Sequence, residues 1–341
     1  MFDIFNQDAF TVVTMTDALQ EVKYKPTFIS KLGIFSSESI DTLDIAIEKQ
    51  DDESLILVPS SPRGGPGSTM GSSRPNLRNL RVPHYQVDDA IMADRIQSAR
   101  AFGEERAVMN LQNFIAKRAL KARQSFELTA EYQKLALLTQ GKLLDADGST
   151  LYNYYTEMGE SQVAEIDFDL DNASPAKGAL RKVCEGVIET IAESLDGIPY
   201  DGILVICGKA FWEDLMVHKE VYDLYLNWSG ATTLQKATIG HGASGIWGEF
   251  EFAGIRFVRY RGGQNVSVPT DKGFIVPFGV PELFKTVYAP ADYIETVNTN
   301  GQELYAKQWE MPNGKGVNLE FQTNALHYCT RPRVLLRAKR T

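Results

Sequence analysis

The residues able to do chemistry are few, and their spacing suits none of the reactions their types suggest. Gly64-Gly65-Pro66-Gly67-Ser68-Thr69-Met70-Gly71 has the composition of a phosphate-cradling loop. It has no Gly-Lys-Ser/Thr, misses G-x-G-x-x-G by one residue and does not feed a helix directly. Gly242-Ala243-Ser244-Gly245 places a serine near glycines, but a nucleophile elbow needs its second glycine where Ile246 stands. A base for Ser244 would have to come from His84, His218, His241 or His327, and none has a catalytic signature around it. Asp145-Ala146-Asp147-Gly148 begins like a calcium loop and then lacks the third ligand pair and the closing glutamate, so a turn is the better reading. Asp167, Asp169 and Asp171 alternate; a solvated edge that resists strand pairing is the commoner meaning, a weak divalent site the rarer one. Cys184, Cys207 and Cys329 are odd in number and widely separated, which reads as reduced, buried thiols. The residues point to no catalytic, cofactor-binding or metal-ligating set, and to no cofactor.

Charge narrows the class further. The chain carries a net charge of -9, which argues against a general nucleic-acid binder. The average conceals a pattern: residues 1–60 hold 11 acids and 4 bases, residues 61–124 hold 11 bases and 5 acids. One segment could attract its opposite on a neighbouring copy, or both could be solvated faces. The tail carries Arg331, Arg333, Arg337, Lys339 and Arg340 with no acid among residues 329–341, which leaves nucleic-acid contact and a solvated terminus both open. No apolar run approaches the eighteen residues of a membrane span, and the start, Met1-Phe2-Asp3-Ile4-Phe5, lacks the basic and apolar regions of a signal peptide, so a cytosolic protein is expected.

The elements around these residues are clearer. Val108, Leu111, Ile115, Ala119, Ala122 and Phe126 recur at steps of three and four, which predicts a helix over about 104–126, with acids at its start and bases at its end. A break is expected near Ser125, after which Leu128, Tyr132 and Leu135 continue an apolar face until Gly141. Residues 1–35 are rich in aromatics without one period, and read as an arm, with a short capped helix at Asp17–Val22. Leu43, Ile45 and Ile47 alternate with polar residues as a strand, with Asp51-Asp52 turning it and Leu55–Val58 returning. Residues 59–76 contain four prolines and four glycines between strand-like flanks, as the tip of a projecting loop would. Asp147-Gly148 marks a hairpin within 142–155. Beyond Pro175 come a helix (Leu180 to Leu195), a buried strand (Gly202–Gly208), a helix (Phe211 to Leu226) and then strands at Phe250–Tyr260, Gly273–Phe278, Glu303–Glu310, Val317–Thr323 and Val334–Arg337. The class is α+β.

Over nearly its full length the sequence resembles the lambda-type major capsid protein E family of tailed phages and prophages. The stretches that carry the likeness include Asp3–Phe10, Leu32–Phe35, Val58–Gly64, Val82–His84, Arg100–Gly103, Leu144–Ser149, Phe252–Ile255, Pro277–Pro281, Tyr288–Asp292, Glu295–Asn298 and Cys329–Pro332. The resemblance implies a Hong Kong 97-like capsid fold: an N-terminal arm (1–35), an extended loop hairpin (36–85), a peripheral domain with a spine helix (86–174), an axial domain (175–325) and a C-terminal strand returning to the peripheral domain (326–341). It implies a non-enzymatic subunit that self-assembles into hexamers and pentamers of an icosahedral shell around double-stranded DNA. Scaffold, portal and a decoration protein are the further partners it implies, with no membrane, in the virion and, during assembly, in the bacterial host cytoplasm. On this reading Phe2, Phe5 and Phe10 of the arm and Arg63, Gly64, Gly65, Arg74 and Arg78 of the loop are candidates for inter-subunit contact. Some capsids of this fold cross-link lysine to asparagine, and no such pair is recognisable; Lys49 reads as a solvated lysine. An encapsulin-like bacterial compartment is the alternative within the fold, and a soluble hydrolase using Ser244 the alternative outside it.

Overall fold

Steps of three and four do make a helix, but a longer one than the spacing predicts. The computed structural model describes residues 28–49, 76–93, 104–227, 248–263 and 266–341. Within it one helix runs unbroken from Glu104 to Gln140, 37 residues and about 55 Å. The expected break near Ser125 is absent. Ser125 Oγ donates to the Lys121 carbonyl and Thr129 Oγ1 to the Ser125 carbonyl, so both hydroxyls are satisfied within the helix and do not compete with it. Gly141 does stop it, at φ 64° with its N–H on the Leu137 carbonyl. A side chain there would run into the Tyr155 ring, so only glycine fits.

The helix serves two cores. Ile115, Ala119, Ala122 and Phe126 pack against Ile91, Leu304, Ala306, Leu319 and Phe321. Leu135, Leu137 and Leu138 belong instead to the main core. Residues 135–139 are all buried, so the last turns are enclosed on every side.

The first core lies between the helix and one three-stranded antiparallel sheet: β4 (Tyr85–Met92), β14 (Gly316–Thr323) and β13 (Tyr305–Glu310), in the order β13-β14-β4. The main core surrounds a six-stranded sheet in which β8 (Gly202–Cys207) lies between β10 (Ile255–Arg259) and β11 (Lys272–Phe278). Ile203–Cys207 are all buried, as an unbroken apolar run requires. The helix Ala179–Leu195 packs there through Leu180, Cys184, Val187, Ile191 and Leu195. Gly178, at its N-cap, has no side chain to offer. Glu220 fills that role, accepting from the N–H groups of Leu180 and Arg181 at 3.2 and 3.3 Å.

Several expected elements are drawn differently. Phe250–Tyr260 is two antiparallel strands, β9 (Glu249–Phe252) and β10, because Ala253 and Gly254 turn at φ 50° and 77°. The helix expected from Phe211 to Leu226 is two, Lys209–Val217 and Lys219–Asn227, parted where His218 leaves helical geometry at ψ 136°. Val334–Arg337 is a 3-10 turn (Pro332–Val334) followed by β16 (Leu336–Lys339). Asp44–Lys49 (β2) is a strand as expected, but among the described residues its partner is Asn76–Arg81 (β3). Leu55–Val58 and the helix at Asp17–Val22 lie outside the described residues. Residues 36–85 are not one hairpin, because Ser36–Ser39 (β1) pairs in parallel with β12 (Phe284–Tyr288) in the body, and β12 with β15 (Ala325–Cys329).

Pairing also crosses the boundaries expected at 174/175 and 325/326. β13 and β14 turn Val317, Leu319 and Phe321 inward beside Ile91, so they join β4 and the long helix and not the six-stranded sheet. The last strand, β16, pairs with Lys272–Ile275 and, within segment 86–174, with Ile166–Asp167.

Candidate assembly surfaces

The ribbon β2–β3 leaves the body at a foot built from hydrogen bonds. Val82 donates its N–H to the Leu43 carbonyl at 3.0 Å, closing the base. Tyr152 Oη donates to the Arg81 carbonyl at 2.9 Å and accepts from the Arg81 N–H at 3.1 Å. Arg78 Nη1 donates to the Thr156 carbonyl of its own chain at 3.0 Å. Leu80 is sealed beneath, at 1% exposure, and Ile45 and Ile47 lean on the same core. Arg78, expected at a contact between copies, thus spends one donor inside its own subunit. The other expected contact residues, Phe2, Phe5, Phe10, Arg63, Gly64, Gly65 and Arg74, lie outside the described residues.

The chain entering at Phe28 is tied down as firmly. The single turn Phe28–Lys31 buries Phe28 and Ile29. The Ile29 N–H donates to Glu131 Oε1 at 3.1 Å, and the Phe28 ring meets the Tyr260 ring edge-on at 5.3 Å. Burial and the Glu131 carboxylate together push the Tyr260 hydroxyl pKa up.

Beside this turn a cleft of about 330 Å³ is lined by Arg123, Glu127, Lys134, Glu303 and His327 among others. Desolvation governs its charges. Burial lowers the Lys134 pKa, and its ammonium lies 5.4 Å from the Phe35 ring centre. Burial raises the Glu127 pKa in spite of Arg123 at 2.9 Å. His327 is held well below the usual histidine range, by burial first and Lys134 second. His327 Nδ1 lies 2.9 Å from Thr286 Oγ1, its cross-strand neighbour. A hydroxyl beside an imidazole can be a nucleophile and its base, but these two are 0% and 1% exposed, so no substrate reaches them. The pair is a buried core contact through Nδ1, while His327 Nε2 has no hydrogen-bond partner among the described residues.

The other sequence-flagged groups are also structural. His84 bonds Asn324 and Gln86, and His218 Nδ1 accepts from the Glu220 N–H. Ser244 and His241 lie outside the described residues. The three cysteines are free and buried, and burial pushes the Cys184 thiol up to about 12, so none is a ready nucleophile. Asp145 and Asp147 tie their own turn, accepting from Ala146 and Ser149 backbone N–H groups. Asp167 pairs with Lys339 at 2.8 Å, and Asp169 accepts from Asn172. The basic tail is largely engaged: Arg337 with Glu165, Arg340 with Asp214, and Arg331 on the Leu195 carbonyl at a helix end. Among the described residues no group of three or more His, Cys, Asp or Glu is placed to hold a metal ion, and no helix is long and apolar enough to cross a membrane.

What the surface offers instead is apolar side chains in the open. Ile294 is 92% exposed and Val297 63%, on a 3-10 turn held by Thr296 Oγ1 donating to the Ala291 carbonyl and by Lys307 bridging to Glu295. Trp309 and Met92 are 40% and 45% exposed on the sheet β13-β14-β4. The sequence flagged none of these, since Ile294-Glu-Thr-Val297 reads as a short amphipathic piece that could equally face a core.

A subunit with anchored projections, exposed apolar anchors and polar groups spent on its own framework belongs to the class that binds copies of itself or other proteins. The fold has a solved counterpart. The chain superposes with a TM-score of 0.56 on the crystal structure of a prophage capsid protein of E. coli CFT073, at 14% identity, covering 97% of this chain and 99% of that one. Residues 11–340 match the family of phage major capsid protein E, and the chain belongs to that family. It is similar to the major capsid protein of Pseudomonas phage KPP10, 25% identical over 347 residues that cover 98% of this chain and 97% of the relative. It is likewise 25% identical to that of Salmonella phage Felix O1, covering 96% and 95%. It is a capsid shell protein of a phage or prophage.

Proposed function

We propose that copies of this chain join as hexamers and pentamers of an icosahedral head that encloses double-stranded DNA, and that they do so without catalysis. Residues 1–35 act as the arm, and the ribbon and its tip, about 43–82, as the extended loop. The layer of long helix and β13-β14-β4 corresponds to the peripheral part, the six-stranded sheet to the axial part. Scaffold and portal act during assembly in the host cytoplasm, a decoration protein binds outside, and DNA touches the inner face non-specifically.

The observation that carries this reading is the ribbon. Among the described residues β2 and β3 pair only with each other, and a two-stranded ribbon is marginal in water by itself. It is bolted at the foot, which suits an element completed by a neighbour, since contacts that close rings of more than one size run from one patch to a different patch. Negative-stain microscopy of the purified protein tests it, with uniform closed shells expected. Shells that form without viral helpers around a cargo protein would point to the encapsulin-like compartment instead. A monomer with turnover lost on Ser244→Ala would overturn both.

A further inference from the structure

Two polar groups at the cleft beside Phe28–Lys31 lack partners within the subunit. Lys134 is partly buried, and among the described residues no carboxylate lies within ion-pair distance of its ammonium, which rests instead near the Phe35 ring. A cation drawn out of water without an ion pair is costly. His327 is the second group. Ala325 and His327 are alternate residues of β15 and share one face of it, and both line the cleft together with Phe126, Ala130 and Lys134 of the long helix. One side of the ring is closed. Thr286 Oγ1 has no other partner among the described residues, so its hydrogen goes to Nδ1. Nε2, at the far tip of the ring, then carries the imidazole hydrogen and has no acceptor.

The rest of the wall defines what fits. Phe126, Ala130 and Leu304 give an apolar side, and about 330 Å³ is room for a small ring. Glu127 and Glu303 also line the cleft, Glu127 held by Arg123 at 2.9 Å, so a second negative charge on an occupant is opposed. We propose that the cleft binds a small monocarboxylic acid, its carboxylate accepting from Lys134 Nζ and His327 Nε2 and its apolar body lying on Phe126 and Leu304. Such an occupant supplies the ion pair that Lys134 lacks and the acceptor that Nε2 lacks, in one group. A dianion meets Glu127 and Glu303, and a neutral amide leaves the ammonium unpaired. No reaction is implied, since Thr286 Oγ1 and Nδ1 stay sealed against each other.

The test adds benzoate to the purified full-length protein, whatever assembly it adopts, and reads binding by calorimetry. Benzoate is expected to bind, with benzamide, benzylamine and inorganic phosphate each about tenfold weaker or worse. Lys134→Met keeps the length of the side chain and removes its charge. It is expected to weaken benzoate about tenfold and, because it deletes an unpaired cation, to leave the melting temperature of the ligand-free protein no lower. His327→Asn keeps a polar atom where Nδ1 meets Thr286 and removes the tip, so it is expected to weaken benzoate as well. No binding of benzoate, equal binding of benzamide, or unchanged affinity in Lys134→Met would overturn the inference. So would a lower melting temperature of ligand-free Lys134→Met, which would show that the ammonium serves the fold itself.

Discussion

The two main sheets are built from similar strands and put to different ends. The six-stranded sheet hides its centre: Ile203 to Cys207, Phe257 and Ile275 are all 2% exposed or less. The three-stranded sheet hides one side against the long helix and leaves Asp88, Met92 and Trp309 on the other. A sheet covered on both faces stabilises its own subunit; a sheet covered on one keeps apolar and charged surface for something else. The difference is one between stability and association, and substitutions should separate the two.

The sharpest contrast is expected from Phe257→Ala. Its ring is 0% exposed and meets Phe168 edge-on at 6.5 Å. Removing it should cost about 3–5 kcal/mol, read as a fall in the urea midpoint; a loss under ~1 kcal/mol would mean that this sheet is not the stabilising one. Next comes pH. His327 is kept neutral in the folded state, with its pKa well below the ordinary 6.5, while the unfolded chain takes up the proton near that value. Its contribution is complete above pH 6.5 and is lost as pH falls below it, with a slope of up to ~1.4 kcal/mol per pH unit. His218, also lowered by burial, adds to this in the same direction. Urea melts at pH 7, 6 and 5 should show the decline, and His327→Asn should flatten it.

Tyr152→Phe removes both hydrogen bonds at the ribbon foot and should cost about 1 kcal/mol. Faster hydrogen exchange at the Arg81 amide is the local signature; unchanged exchange would show that the foot does not depend on the Tyr152 hydroxyl. The smallest effect on stability belongs to the loop. Deleting Arg63–Ser73 should change unfolding by less than ~0.5 kcal/mol and yet impair shell formation, which sedimentation reads directly. Normal shell yield would remove the loop from the association side of the comparison.

Local patterns carried much of this architecture. The apolar steps from Ile115 to Phe126 gave the helix, and Asp147-Gly148 its hairpin, Lys142–Leu144 against Thr150–Asn153. The unbroken run at Ile203–Cys207 gave a buried strand. Elements governed by distant partners were illegible. β15 and β12 bury His327 and Thr286 against each other, so polar residues stand where an apolar pattern would be sought. Ser125 looks like a breaker until its hydroxyl is seen bonded one turn back. The exposed apolar side chains were harder still, because the exposure of Ile294 and Trp309 follows from which neighbours fail to cover them. The basic excess of residues 61–124 stands in the sequence, whereas the meeting of the tail's bases with Glu165, Asp167 and Asp214 depends on other parts of the chain.

The unbroken helix from Glu104 to Gln140 has a mechanical consequence. It is rooted in one core at its C-terminal end and braces a second core along its middle, with no proline or glycine between. It links the two cores as one continuous element. In a closed shell of such subunits, curvature is therefore expected to fall at the seams from one copy to the next.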